Sequence, residues 1–485
     1  MGDPRQGKRG LKVERLTYVV VLIIYLAILA AVGIVTSRRL KSSSDFAIGG
    51  RSIGPWVTAL SFVAAYFSSV LIIGGGGFGY RFGLATLWIG AANVVIGCML
   101  AWIVLGKRIR RLTEETNSMT ISEFLGKRYA SPQVMIFSAA VIFLFLIIYN
   151  VSVVKGMANA IQVLMDVPYL AGVLISGIII IFYVSVGGYL AVVWTSFIQA
   201  WIMIAGLLLL TGFTLNRVGG LAAAARKLAA LDPGYVTTPG IWGWAGLVSF
   251  CLVVSLGTWG MPQLVIRFYS IKNTRVLRVG TVVVTVGAAI ALLPYLNGAI
   301  ARIFHPDLAS PDLAIPTLTR SVLPPIGGAI FLAGVIAAGM STFAGVLIIT
   351  STSLVRDIFK GALKYDLTPA RELRLARVAS ALVGVISILI AIRPPGLILV
   401  LTAFAWAVIA STNLWPMLFG IYWRRTSPAA TLASMIIGAA IAIIWPILGS
   451  PLGLHGFIAG TAAALFTILV GTLVLPARET GRQRS

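Results

Sequence analysis

Long apolar runs, separated by short polar or Gly/Pro-bearing stretches, dominate the chain. The first, Leu16 to Val35, is about one bilayer crossing long, since a helix rising 1.5 Å per residue needs roughly 20 residues to span the hydrocarbon layer. Further runs follow at roughly 55–78, 84–106, 134–158, 168–186, 190–213, 242–265, 279–301, 327–354, 376–392, 396–421, 430–448 and 454–475. The pattern predicts about thirteen transmembrane helices. Two pairs run together, 168–186 with 190–213 across Gly187-Gly188-Tyr189, and 376–392 with 396–421 across Arg393-Pro394-Pro395. Each combined run is far too long for one helix, so a turn is expected in both.

Composition narrows the class. Of 485 residues, 59% are apolar and only 11% charged, whereas a soluble domain carries roughly a quarter charged residues. A soluble enzyme is excluded, and so are a disordered chain and, with two cysteines, a disulfide-rich secreted fold. What remains is an all-α polytopic membrane protein whose solvent is the lipid bilayer. His305, His455, Cys98 and Cys251 are too few and too scattered for a metal cluster. The formal charge of +24 would suggest nucleic acid in a soluble protein, but here the basic residues lie in short loops, where they set orientation. One set of loops and the C-terminal tail hold 25 Lys and Arg; the opposite set, with the N-terminus, holds 12. The bias predicts a multi-pass plasma (inner) membrane protein with its N-terminus outside and its C-terminus in the cytoplasm, against the pull of Arg5, Lys8, Arg9, Lys12 and Arg15.

A bundle of unbroken apolar helices is a scaffold; a carrier needs places where backbone polar groups are freed. Three stand out. The run Ser61–Ser69 leads into Gly74-Gly75-Gly76-Gly77, poor helix material that serves either close packing or a discontinuous helix. In Ser255–Gln263, two glycines and Pro262 predict a kink that releases the Thr258 carbonyl. In Ile336–Thr342, Ser341 and Thr342 place two hydroxyls at mid-membrane. They either bond back to their own helix or act as oxygen ligands for a small hard cation such as Na⁺, together with carbonyls of a broken helix.

With these residues in view, the chain resembles the sodium:solute symporter family. The resemblance rests on Phe46–Pro55, on Val186-Gly187-Gly188 with Ala191 and Trp194-Thr195, on Gly260–Gln263 with Arg267-Phe268, and on Ala337–Thr342 leading to Arg356-Asp357-Ile358. It covers about residues 15–475 and is nearest the proline branch, with pieces like the monocarboxylate and pantothenate branches. It implies one transmembrane transporter domain over 1–485. The core would be two inverted five-helix repeats, at 54–213 and 242–421, with peripheral helices at 1–36 and 430–475. It implies a Na⁺ site from the carbonyls of Ala64, Phe67 and Ala338 and the hydroxyls of Ser341 and Thr342. Two aspartates of the proline branch are replaced, by Tyr66 and Ser196, which puts proline itself in doubt as substrate.

Substrate is expected beside the ion, between the two breaks, at Tyr66, Ser69, Thr258, Trp259, Gln263 and Trp406, with Thr258 and Trp259 foremost. Lys155 either lies near the outer surface or, with Arg81, draws an anionic substrate into an outer vestibule. The function expected is Na⁺-coupled import of a small organic solute, a carboxylate, amino acid or related zwitterion, by alternating access. No obligatory protein partner and no catalytic constellation is evident. A proton-coupled or uncoupled carrier of the same fold is the alternative, with a sugar symporter behind it. Both hydroxyls being present, and no free carboxylate lying in the core spans, weigh toward Na⁺.

Overall fold

The computed structural model describes residues 4–37, 53–273, 275–423 and 425–475, with side chains throughout except at 4–14, 36–37 and 181–191. The Phe46–Ser52 part of the motif, and Arg38, Arg39, Lys41, Arg51, Arg424, Arg478, Arg482 and Arg484 of the charge count, lie outside the described residues.

The chain is helical nearly throughout. After α1 (Pro4–Ser37), α2 (Pro55–Tyr66) begins on a proline, whose missing N–H is an orphan at a helix start in any case. Helical geometry is lost at Phe67 (φ −91°, ψ 72°) and resumes in a wide turn, Val70–Gly75, that feeds α3 (Gly76–Phe82). Gly83 then turns the chain at φ +72°, where a Cβ would lie 2.3 Å from the Tyr235 carbonyl oxygen, so a side chain there is doubly excluded. The return crossing, Leu87 to Val104, ends in the charged helix α4 (Gly106–Glu115). α5 (Ile121–Arg128), α6 (Pro132–Met165) and α7 (Tyr169–Val218) follow. A second interrupted crossing comprises α8 (Gly243–Ser255), a tight turn at Leu256–Gly260, and α9 (Pro262–Ser270). Besides two short helices, Leu221–Leu231 and Ala314–Val322, there follow α10 (Val276–Ala288), α11 (Leu292–Phe304), α12 (Pro325–Thr352), α13 (Pro369–Ala391), α14 (Ile398–Tyr422), α15 (Pro428–Ile447) and α16 (Gly456–Val474).

Among the described residues, 11 helical segments are long and apolar enough to cross a membrane, and Pro55–Tyr66 and Tyr169–Ile180 are shorter apolar helices. The chain is a polytopic all-α membrane protein. The segment from Pro325 to Ala362 is its axis, for its apolar window is wholly buried. α12 packs on α7, α6 and α1, and α14 packs on α6, α15 and α16.

Polar contacts sort into two ends. At one, Arg15 pairs with Asp166 at 2.7 Å, Arg320 approaches Asp166 at 4.0 Å, Arg217 donates to the Ser321 carbonyl, and Lys155 pairs with Asp312 at 2.8 Å. At the other, Arg110 donates to the Ile271 carbonyl, Thr120 to Asp357, Arg128 to the Gly420 carbonyl, and Arg356 to Glu372.

Two expectations are corrected and one holds. α7 is helical over Tyr169–Val218, 50 residues. A straight helix of that length reaches about 75 Å, yet its first turn follows Asp166 and its last holds Arg217, and Arg320 and Ser321 contact those two residues. Its path therefore doubles back, as expected of a run too long for one crossing. The glycine quartet is not the interruption. Gly76 and Gly298 let α3 and α11 touch, a Cβ on Gly298 falling 1.9 Å from the Gly76 carbonyl oxygen, and the break lies upstream at Phe67-Ser68. Nor is the Thr258 carbonyl released, because Met261 N–H donates to it at 3.0 Å. Pro262 starts a new helix instead of kinking an old one. The turn expected at Arg393-Pro394-Pro395 does separate α13 from α14.

Candidate functional site

A helix leaves its last four carbonyls without intrahelical donors. In α2 these belong to Val63, Ala64, Ala65 and Tyr66. The Phe67 N–H takes Val63 at 2.8 Å, and the break removes the donors that Ala64 and Ala65 would have had. Two hydroxyls of α12 meet them. Ser341 Oγ lies 2.8 Å from the Ala64 oxygen and 2.9 Å from the Ala338 oxygen, and Thr342 Oγ1 lies 3.0 Å from the Ala65 oxygen. Both side chains are fully buried. Five neutral oxygens thus converge at a helix C-terminus, where the backbone dipole presents partial negative charge. Such a set suits a small hard cation that gives up its water.

Next to this cluster the break opens a cavity with about 20 Å³ of free space, room for one water. Its wall is aromatic. Tyr66 stacks on Trp406 with ring centroids 6.2 Å apart, Tyr149 meets Trp406 edge-on at 5.6 Å, and Tyr295 closes another side. Ser68, Asn93 and Thr402 supply polar groups. The Tyr66 hydroxyl lies 2.5 Å from Asn93 Oδ1 and 2.6 Å from the Val254 carbonyl oxygen. A phenol has one proton, so both contacts are satisfied when it donates to Val254 and accepts from an Asn93 amide turned about. This ties the broken α2 to the end of α8. Two donors on the cavity wall, Trp406 Nε1 and Tyr295 Oη, are buried with no partner.

Of the residues singled out in the sequence, the structure brings Tyr66 and Trp406 to this cavity and Ala64, Ala338, Ser341 and Thr342 to the oxygen cluster. Thr342 meets the carbonyl of Ala65, which sequence reasoning passed over in favour of Phe67. Four candidates do not line the cavity. Ser69 turns to the Val153 carbonyl, Thr258 bonds back to Ser255, Trp259 Nε1 holds the Ile96 carbonyl at 2.9 Å, and both amide atoms of Gln263 are buried without partners. Asn93, Tyr149, Tyr295 and Thr402 were missed. The available signal was a polar group stranded in an apolar run.

A largely buried ion pair lies one residue from the cavity wall at Leu399. Lys155 Nζ pairs with Asp312 Oδ2 at 2.8 Å and donates to the Gly396 carbonyl at 2.7 Å; the Ile398 N–H donates to the same carboxylate at 3.2 Å. Burial pushes the Asp312 carboxyl above its usual range, and the Lys155 charge and hydrogen bonds pull it back only in part. Lys155 is therefore occupied by Asp312 here and is not a free vestibule charge. Arg81 instead lies 5.1 Å from the Phe82 ring.

Comparison with known proteins supplies the context. A profile of the Sodium:solute symporter family matches residues 46–438. The chain is 30% identical to a sodium/pantothenate symporter of Escherichia coli (strain K12), over 94% of this chain and 96% of the relative. It is also 30% identical to the high-affinity proline transporter PutP of Bacillus subtilis (strain 168), over 92% and 96%. A solved structure of a Na⁺-coupled sialic acid symporter, substrate-bound and outward-open, superposes with a TM-score of 0.82 at 18% identity, covering 95% of this chain and 98% of that one.

Proposed function

The chain belongs to the sodium:solute symporter family, and from that membership we propose that it couples Na⁺ to the uptake of a small organic solute by alternating access. It is a membrane carrier with no chemical step of its own. The observation that carries the proposal is the meeting of Ser341 and Thr342 with the carbonyls freed at the end of α2. One element supplies the hydroxyls and the other the carbonyls, so an ion held between them ties α12 to the interrupted α2. The same interruption forms the wall of the cavity. Ion and solute then each favour the arrangement the other needs, and this mutual preference is the coupling.

The ligands assigned to Na⁺ are Ser341, Thr342 and the carbonyls of Ala64 and Ala338, with Phe67 from the family pattern and Ala65 from its bond to Thr342. For the solute we assign Tyr66 and Trp406, joined by Asn93, Tyr149, Tyr295 and Thr402. The two unpartnered donors, Trp406 Nε1 and Tyr295 Oη, favour an acceptor-rich group. So does the positive end of the Val70–Phe82 segment, which starts at the cavity wall. A carboxylate, free or as part of a zwitterion, meets both. Thirteen crossings follow if the two passes of α7 are counted separately and the Val70–Val104 run is divided at Gly83. The core is then read as inverted repeats over 54–213 and 242–421, with the N-terminus outside and the C-terminus in the cytoplasm.

The test is uptake into proteoliposomes driven by a Na⁺ gradient, over a panel of proline, pantothenate, short monocarboxylates and sugars. Ser341→Ala and Thr342→Ala each raise the Na⁺ concentration for half-maximal uptake about tenfold or more, since a hydrogen-bonding partner to a charge is worth about 1.5–3 kcal/mol. Unchanged sodium dependence in both variants would show that the ion binds elsewhere.

A further inference from the structure

Where α4 begins and α10 begins, the apolar spans end, at Val104 and Val276 respectively. A groove of about 460 Å³ lies between these two boundaries. Lys107, Arg275 and Arg278 line it, and all three are exposed. Its floor is apolar, built on the buried Trp102 and Leu277, and Ile103 on its rim is 59% exposed beside the bare bilayer face of α10 at Val282.

The other cations of α4 are committed. Arg108 stacks on the Tyr422 ring at 4.1 Å, Arg110 pairs with Glu114 at 2.8 Å, and Arg111 pairs with Glu115 at 2.8 Å. Among the described residues, Lys107, Arg275 and Arg278 have no ion-pair, cation–π or side-chain hydrogen-bond partner. Three uncompensated positive charges around one concavity repel each other unless an anion sits between them. At this depth the groove is open to headgroups on its polar side and to acyl chains at Ile103 and Val282.

We propose that this groove binds the phosphate of an anionic phospholipid, with the guanidinium forks of Arg275 and Arg278 and the Lys107 ammonium on the phosphate and the glycerol end resting on Trp102 and Leu277. Guanidinium matches phosphate geometry by two parallel bonds, and a basic pocket between helices at the membrane surface selects acidic headgroups. The lipid bridges the end of the Leu87–Val104 crossing to the start of α10, two segments that also pack on each other through Gly106 and Leu277 and through Gly280 and Trp102. A free phosphate would use the same cations but not the apolar floor. The assignment does not depend on the identity of the transported solute or on the Na⁺ site.

Purified full-length protein is titrated with phosphatidylglycerol, phosphatidylcholine or inorganic phosphate, and bound lipid is read by native mass spectrometry. Phosphatidylglycerol binds saturably at one site and phosphatidylcholine does not compete. The variant K107Q/R275Q/R278Q weakens phosphatidylglycerol binding at least about tenfold, as the loss of three interfacial cations requires. K107R/R275K/R278K, which keeps the charge but gives up both forks, binds more tightly than the neutralised variant and less tightly than wild type, and so separates lost charge from a lost fold. A control with the same number of charges removed from α13, R371Q/R374Q/R377Q, leaves binding unchanged. Equal binding by wild type and the groove variant overturns the proposal, as does equal loss in both neutralised variants. Displacement of the lipid by inorganic phosphate assigns the groove to free phosphate and overturns the lipid assignment.

Discussion

Ser341 and Thr342 have one proton each to give and lone pairs to spare, and both spend the proton on carbonyls of another helix. Each hydroxyl therefore keeps lone pairs that it can offer to an ion held between the two helices. A different residue shows how burial sets a pH limit. Burial pushes the His455 imidazole down to about 4, and its Nδ1 accepts the Phe457 N–H at 3.2 Å as the cap of α16. The folded chain therefore holds it neutral, while the unfolded chain takes up the proton at about 6.5. Its share of stability is full above that pH and is lost progressively as pH falls from about 6.5 toward 4. His455→Asn keeps an acceptor at the cap and does not titrate. On acidification through this window the thermal unfolding midpoint of the wild type drops further than that of the variant; parallel curves would refute the assignment. Residues of this kind were only partly legible in advance. Ser341 and Thr342 stood out as adjacent hydroxyls in an apolar run. Asn93 and Tyr149 did not, because a lone polar group in a span signals burial without naming its partner.

Helix breaks were legible in place, at Phe67-Ser68 within Ser61–Ser69 and at Leu256–Gly260 within Ser255–Gln263, but the residues that cause them were not. Four successive glycines looked like the interruption, yet glycine in a membrane also serves close packing, and here packing wins. The real break, at Phe67-Ser68, carries no glycine or proline and is stabilised by what it meets: the hydroxyls of α12 and the Tyr66 contacts to Asn93 and α8. Pro262 misled in the same manner, since a proline fits the first turn of a helix as well as it disrupts a middle one. The packing role of the glycines has a measurable consequence. Gly298→Ala drives a methyl into the Gly76 backbone, where nothing can swing aside, and costs about 3 kcal/mol or prevents assembly. Gly75→Ala meets only side chains, the nearest at 3.3 Å, and costs under about 1 kcal/mol. Thermal stability of the two purified variants distinguishes them, and equal loss would remove the backbone contact as the cause.

Apolar run lengths were enough to read the chain as a helical membrane protein, because of the two elements that satisfy their backbone in lipid only the helix needs about 20 continuous apolar residues, a barrel strand needing about 10 alternating ones. They also marked α7 as too long for a single crossing, and its two ends do meet the neighbouring residues Arg320 and Ser321. The two polar ends allow the proposed orientation to be checked. In a background lacking Cys98 and Cys251, a cysteine at Arg320 reacts with a membrane-impermeant thiol reagent in intact cells, and one at Arg374 reacts only after the membrane is opened. The reverse pattern would invert the orientation.

The paired Lys155 and Asp312 bear on how such a carrier responds to voltage. A transmembrane potential does about 2.3 kcal/mol of work per elementary charge per 100 mV on whatever net charge crosses it. A lysine and an aspartate locked together at 2.8 Å sum to zero, so a segment that carries both through the field is neither driven nor resisted by it. The electrical pull is left to act on the cargo.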